Sequence, residues 1–302
     1  MPGKLVLATL ALFAVGTTGA TPYNPVHVGA LGQGIVVPGV YQSGNADTSA
    51  VGVTNLCNAL NVFWAFADTN DTVRARGRIT LGQAQTYPFV LAQELAPATQ
   101  DVFGTLIFVA DENGDGKLNS ADSHCLMAEA FHVDLADHDA AYLPTWPFNT
   151  FDIGSGQIPD LETLSPTQLT TLHSGVRDEP GADDLNGFYV RYSVGGDDST
   201  RLVVWSAEDI AGTYAAEITH HNGSIAYLDL PLSNPHLNIV DVGTLSGLPP
   251  GFTNGVLVFA VPDDDLGNYT DTDGDGNGMG VYTVIQSPGL GAAQTIPAST
   301  LR

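Results

Sequence analysis

The chain has 302 residues, 33 acidic side chains against 9 basic ones, a formal net charge of −24, 43% hydrophobic residues and two cysteines. That length and hydrophobic content can build a substantial core, which argues against a wholly disordered chain. The charge argues against nucleic-acid binding by phosphate neutralisation or docking on an anionic membrane, and two cysteines exclude a disulfide-dense miniprotein.

Residues 1–20 read as a secretory signal peptide. Lys4 supplies the positive n-region, Leu5 to Val15 the apolar run, and Thr18-Gly19-Ala20 the small residues of a cleavage site. The run is too short to span a bilayer, and no later stretch reaches eighteen apolar residues, so no membrane span is expected. Without these residues the balance is 33 acids against 8 bases, and Lys117 is the one lysine left. Export implies a secreted or cell-surface protein in an oxidising compartment, where Cys57 and Cys125 are expected to pair.

Strand signals dominate the rest, and the predicted fold class is all-β: one or two β-sandwich, jelly-roll-like units with long acidic loops and little helix. The expected organisation is an N-terminal β-rich half over 21–153, a polar connector over 154–187 and a C-terminal β-rich half over 188–302. Thr21 to Ser43 is rich in Pro, Gly and Val and reads as the first strand of its own sheet. Donation of this segment to a neighbouring subunit is the alternative. Predicted strands follow at 51–56, 61–67, 72–81, 86–92 and 102–110. Arg74, Arg76 and Arg78 alternate onto one strand face, which is either solvated or a counter-charge for the Asp-rich loops. Residues 126–135 fit a helix or a half-buried strand; alternation of Phe131, Val133 and Leu135 with polar or small residues favours the strand.

Within the connector, Ser165 followed by Pro166 predicts the N-cap and first turn of a short helix ending near His173. Strands are then predicted at 188–194, 201–206, 214–220, 224–230, 236–242, 255–261 and 280–286. Residues 62–68 resemble 202–209, and 104–111 resemble 255–263, which raises a degenerate repeat of two halves.

The most specific motif is D-E-N-G-D-G-K-L-N-S-A-D over 111–122. Asp111, Asn113 and Asp115 occupy positions one, three and five of a twelve-residue calcium loop, and Gly116 provides the sharp turn at six. Lys117 offers its carbonyl at seven, Asn119 stands at nine and Asp122 at twelve. A hard cation takes six to eight oxygens, and this spacing gathers them around one turn. Asp at twelve, with Leu118 at eight and Asn119 at nine, makes the loop resemble the dockerin variant of the EF-hand. The resemblance implies Ca2+ ligands at these positions and covers twelve residues. A dockerin's second loop is not found, so the family's cohesin-binding role is not carried over. A second acidic loop over 263–280 repeats the opening with Asp271, Asp273, Asp275 and Asn277, but Tyr282 stands at position twelve.

Other signals are weaker. His132, Asp134, Asp137, His138 and Asp139 cluster without matching a metal spacing, and read as a polar loop. His220 and His221 precede an Asn-Gly turn and read as strand-end residues. Asn70, Asn222 and Asn268 lie in N-glycan sequons. Nucleophile elbows, zinc-protease motifs and phosphate-binding loops are not found, which leans away from an enzyme. The expected function is an extracellular structural or assembly subunit of a surface layer, filament or matrix. Its expected partners are copies of itself, matrix or glycans. A glycan-binding or adhesion module and a secreted carbohydrate-active hydrolase are the alternatives.

Overall fold

A computed structural model describes residues 31–44, 47–95, 101–119, 122–134, 139–149, 160–173, 185–262 and 279–301. The expected signal peptide, the loop carrying Asp271, Asp273, Asp275 and Asn277, and the sequon at Asn268 lie outside these residues. Among the described residues the protein is built from antiparallel strands with two short helices, the all-β sandwich-like architecture that the sequence predicts.

The first nine strands are β1 (Gly34–Ser43), β2 (Asp47–Asn55), β3 (Leu60–Asp68), β4 (Val73–Leu81), β5 (Gln85–Val90), β6 (Val102–Asp111), β7 (Leu126–Asp134), β8 (Asp139–Leu143) and β9 (Trp146–Phe148). They form one hydrogen-bonded sheet that folds over on itself. Its turning point is the β1–β2 corner, where pairing is confined to Gln42↔Thr48 and Ser43↔Asp47. One layer therefore runs β4-β3-β6-β1-β9 and the other β5-β2-β7-β8. Phe89 on β5 closes the sandwich between them, edge-on to Trp64 of β3 at 5.0 Å and to Phe108 of β6 at 5.4 Å. Residues 34–43 pair with β6 and β9, while residues 21–30 of the segment that begins at Thr21 lie outside the described residues.

The other strands are β10 (Leu185–Ser193), β11 (Ser199–Ser206), β12 (Gly212–His220), β13 (Ile225–Leu232), β14 (Leu237–Asp241), β15 (Asn254–Pro262), β16 (Met279–Ser287), β17 (Ala292–Pro297) and β18 (Ser299–Leu301). They form a five-stranded sheet, β13-β12-β15-β10-β18, and a four-stranded sheet, β14-β11-β16-β17. Alternation in β11 explains how the layers join. Leu202 and Val204 point into a core shared with Phe188, Val190, Leu257 and Phe259. Val203 and Trp205 point the opposite way, into the core of the N-terminal sandwich. β11 is thus buried on both faces, which is why Leu202-Val203-Val204-Trp205 reads as a continuous apolar run.

Specific contacts fix that junction. The rings of Trp146 and Trp205 meet at 5.7 Å, and the Arg201 guanidinium lies 4.9 Å from the Tyr41 ring and 5.3 Å from that of Phe103. The fully buried Tyr282 hydroxyl donates to the Pro38 carbonyl at 2.9 Å, and burial raises its pKa. Pro38 is tolerated in an interior strand because the β1–β6 register slips between Pro38 and Val40. Gly39 occupies the slip at φ +76°, where a Cβ would lie 2.2 Å from the Tyr282 hydroxyl.

This topology corrects the expected repeat. Segments 62–68 and 104–111 are hydrogen-bonded neighbours, β3 and β6, in one sheet. Their counterparts, β11 and β15, lie in different sheets on opposite sides of the C-terminal core. The likeness is between buried strands that occupy non-equivalent places in the two halves.

The helices are α1 (Leu91–Glu94) and α2 (Pro166–His173). Ser165 and Gln168 cap α2 reciprocally: the Gln168 amide donates to Ser165 Oγ at 3.4 Å and the Ser165 amide to Gln168 Oε1 at 2.6 Å. Leu169 and Leu172 pack into the N-terminal core.

Candidate metal centre

The twelve-residue loop begins where β6 ends. Asp111 is the last residue of that buried strand, paired in register with Asn61 of β3, and is 2% exposed. Asp122, at the other end, is 4% exposed. Between them Asn113, Asp115 and Lys117 face solvent, and Leu118 is fully buried. The loop is therefore pinned at both ends and once in the middle.

Its backbone is wound around its own carboxylates. Asp111 Oδ1 accepts from the amides of Gly114 at 2.8 Å and Asp115 at 3.1 Å, while Oδ2 accepts from Gly116 at 3.1 Å. Gly114 and Gly116 take φ of +74° and +72°, left-handed values that let the chain curl round Asp111. The Asn113 side chain accepts from the Asp115 amide at 2.9 Å, and Asp115 from the Lys117 amide at 2.9 Å. Asp122 closes the circuit, accepting from Glu112 at 3.1 Å and Asn119 at 2.9 Å. Burial raises the pKa of Asp122, and its neighbours Asp111 and Asp115 raise it further, while the two backbone amides oppose the shift.

Three supports of this loop escape sequence reading. The Gln33 side chain donates to the carbonyls of Asn119 at 3.2 Å and Asp122 at 2.5 Å. The Leu161 amide donates to the Gly116 carbonyl at 2.9 Å. Glu112 Oε2 accepts from the Ser123 amide at 3.1 Å. Gln33 and Leu161 lie far along the chain from the loop and carry no motif that would connect them to it.

The disulfide braces the same corner. Cys57 and Cys125 are bonded, with Cα atoms 5.3 Å apart, and the Leu56 amide donates to the Cys125 carbonyl at 3.0 Å. Cys125 follows Asp122 by three residues, so the bridge ties the loop's exit to the turn between β2 and β3.

An open cavity of about 280 Å³ lies beside the loop, lined in part by Asp111, Asp115, Asp160, Glu162, Arg78 and Phe63. Arg78 comes from the arginine face of β4. All three arginines of that face find acceptors: Arg74 on Asp68 at 2.6 Å, Arg76 on the Thr163 carbonyl and Arg78 on Glu162 at 4.0 Å. They stand on a strand at the sheet edge, where exposed charge also discourages pairing with another chain.

The remaining candidates separate. His132 is buried, with Nε2 2.8 Å from Asp47 Oδ1 and its ring 5.1 Å from that of Tyr41. It lies within β7 rather than in a loop, while Asp137 and His138 are outside the described residues. His220 ends β12 and His221 starts the Asn222-Gly223 turn, as strand-end residues should. Asn70 and Asn222 are exposed on turns. Among the described residues, no three histidine, cysteine, aspartate or glutamate side chains already converge as a metal-binding group, and the Asp111 and Asp122 carboxylates accept backbone amides instead. The donors of the loop are all oxygens of carboxylates, amides and backbone, a set suited to a hard cation and unsuited to zinc. No protein-family model matches the chain, and no curated protein matches it in sequence.

Proposed function

We propose that this chain is a secreted, calcium-braced β-sandwich that serves as a structural subunit of an extracellular assembly. The observation that carries the reading is the stacking of two sandwiches through a sheet whose strand β11 is buried on both faces, with the disulfide and the acidic loop meeting at one corner. Such a body resists deformation across its whole length. It concentrates its carboxylates at a loop where a divalent cation would relieve their repulsion.

Calcium would be held by Asp111, Asn113, Asp115 and Asn119 through side-chain oxygens, by Lys117 through its carbonyl, and by Asp122. Bound there, the ion would join the end of β6 to the start of β7 and stiffen the corner. An ion bound only by the folded protein, at a hundred times its dissociation constant, stabilises by about 2.7 kcal/mol. Asp111→Asn with Asp115→Asn should abolish most of that gain. The side-chain NH2 introduced at position 111 would also face backbone amides that the Asp111 carboxylate now accepts from, so the variant loses basal stability too. The informative quantity is therefore the melting shift between millimolar calcium and chelator. A wild-type shift surviving in the variant would refute the assignment of these ligands.

One observation favours a second reading, a glycan-binding module. Tyr227 and Tyr189 are exposed on the outer face of the five-stranded sheet. Retention on insoluble polysaccharides, lost in Tyr227→Ala, would support it.

A further inference from the structure

We infer that the outer face of the five-stranded sheet is a self-complementary interface whose partner is a second copy of this chain. The inference deepens the assembly reading by naming the surface through which copies meet, and rests on that reading for its setting.

Alternation divides this sheet sharply. On β13, Leu228, Leu230 and Leu232 are buried, while Ile225 and Tyr227 are 55% and 75% exposed. On β10, Phe188 and Val190 are buried, and Tyr189 is 39% exposed. The register sets the outward residues in rows. Tyr227, Glu217, Val258 and Tyr189 stand side by side across β13, β12, β15 and β10. The next row carries Ile225, Thr219, Val256 and Arg191. An antiparallel sheet facing water usually presents polar residues on that side. These two rows present two tyrosines, two valines and an isoleucine, with Glu217 and Arg191 cancelling in charge.

That sparse charge points to a second copy. Two chains of net charge −24 repel each other over most of their surface, so they can meet only where charge is sparse. The area is also sufficient. The whole face, which includes the exposed Asp229 in the row beyond Tyr227 as well as the two apolar rows, spans four strands of eight or nine residues and, at spacings of about 4.8 Å and rises of about 3.4 Å, covers roughly 600 Å² in projection. A standard interface takes about 800 Å² of accessible surface from each partner, and side-chain relief adds to the projected figure. Symmetry fits as well. β10 and β12 both flank β15. A two-fold axis along β15 therefore lays β10 of one copy over β12 of the other, with Val258 against its counterpart and Arg191 one row from the second copy's Glu217.

The test is sedimentation velocity of the full mature chain over a wide concentration range. Wild type should dimerise. Arg191→Glu and Glu217→Arg should each weaken association at least tenfold, and the double exchange should restore it. Arg191 is exposed and Glu217 is half-buried with hydrogen bonds to Tyr227 and Thr219, so the melting temperature should hold in Arg191→Glu and fall at most slightly in Glu217→Arg, and a folding defect would be visible. A monomer at every concentration, or single reversals that dimerise like wild type, would overturn the inference. So would monomeric protein retained on polysaccharide through Tyr227. Calcium-dependent polymers that form equally well in the reversals would sink this interface and leave the assembly reading standing. Dimers without any polymer would do the opposite.

Discussion

Trp205→Ala should destabilise the protein by about 3–5 kcal/mol, the usual cost of truncating a fully buried tryptophan. The location makes the effect more than local. Trp205 projects from the four-stranded sheet into the N-terminal core, while its neighbours Val204 and Leu202 project into the C-terminal one. Its ring rests on Trp146, and nearby Gly280 admits no side chain because a Cβ there would lie 2.3 Å from the Trp146 ring. The cavity cannot be filled by sliding the sheet, since Tyr282 on Pro38 and Arg201 on Tyr41 pin the same face to the N-terminal sandwich. Calorimetry should show one transition moved downward as a whole. Two resolved transitions, with only the lower one displaced, would mean that the sandwiches melt independently.

Opening the disulfide should cost a comparable amount, about 4 kcal/mol, because the bridge closes a loop with a sequence separation of 68 residues. That loop contains β3, β4, β5, β6 and the acidic segment 111–122. The measurement is chemical denaturation of Cys57→Ser/Cys125→Ser against wild type. A second consequence follows from the position of Cys125 beside the loop's exit. On the proposed calcium reading the variant should bind the ion more weakly, because the exit of the loop then loses its covalent brace and is held by hydrogen bonds alone, those of Gln33 to Asp122 and of Leu56 to Cys125 among them. Equal stability of the two proteins would show that the unfolded chain gains nothing from release of the bridge.

Most strands were legible because burial on one face imposes a period of two. β4 is the clearest example, with Arg74, Arg76 and Arg78 exposed and Val73, Ala75 and Ile79 half-buried. The helix at Pro166 was legible because its capping box is local. What failed was whatever depended on distant partners. β8 and β9 are five and three residues long, and Pro147 interrupts the apolar pattern of the latter. β2 begins at Asp47, four residues before its apolar pattern starts, because the buried Thr48 and Ser49 are satisfied by hydrogen bonds that no pattern reveals. The doubly buried β11 showed a continuous apolar run but not which sheets would cover it. That ambiguity produced the mistaken repeat.

The acidic loop was legible for the same reason as the helix: its candidate ligands lie within twelve residues and their spacing is set by one turn. Its supports were not. Gln33 and Leu161 reach it only because β1 and the segment before α2 are folded against the end of β6. The cavity beside the loop is likewise a product of separate segments.

The measurement closest to the central claim is the particle size of the protein without residues 1–20, by light scattering with electron microscopy, in millimolar calcium and then in chelator. A calcium-braced assembly subunit should form ordered polymers in calcium that disperse when the ion is removed. A compact particle of unchanged size in both conditions would contradict it.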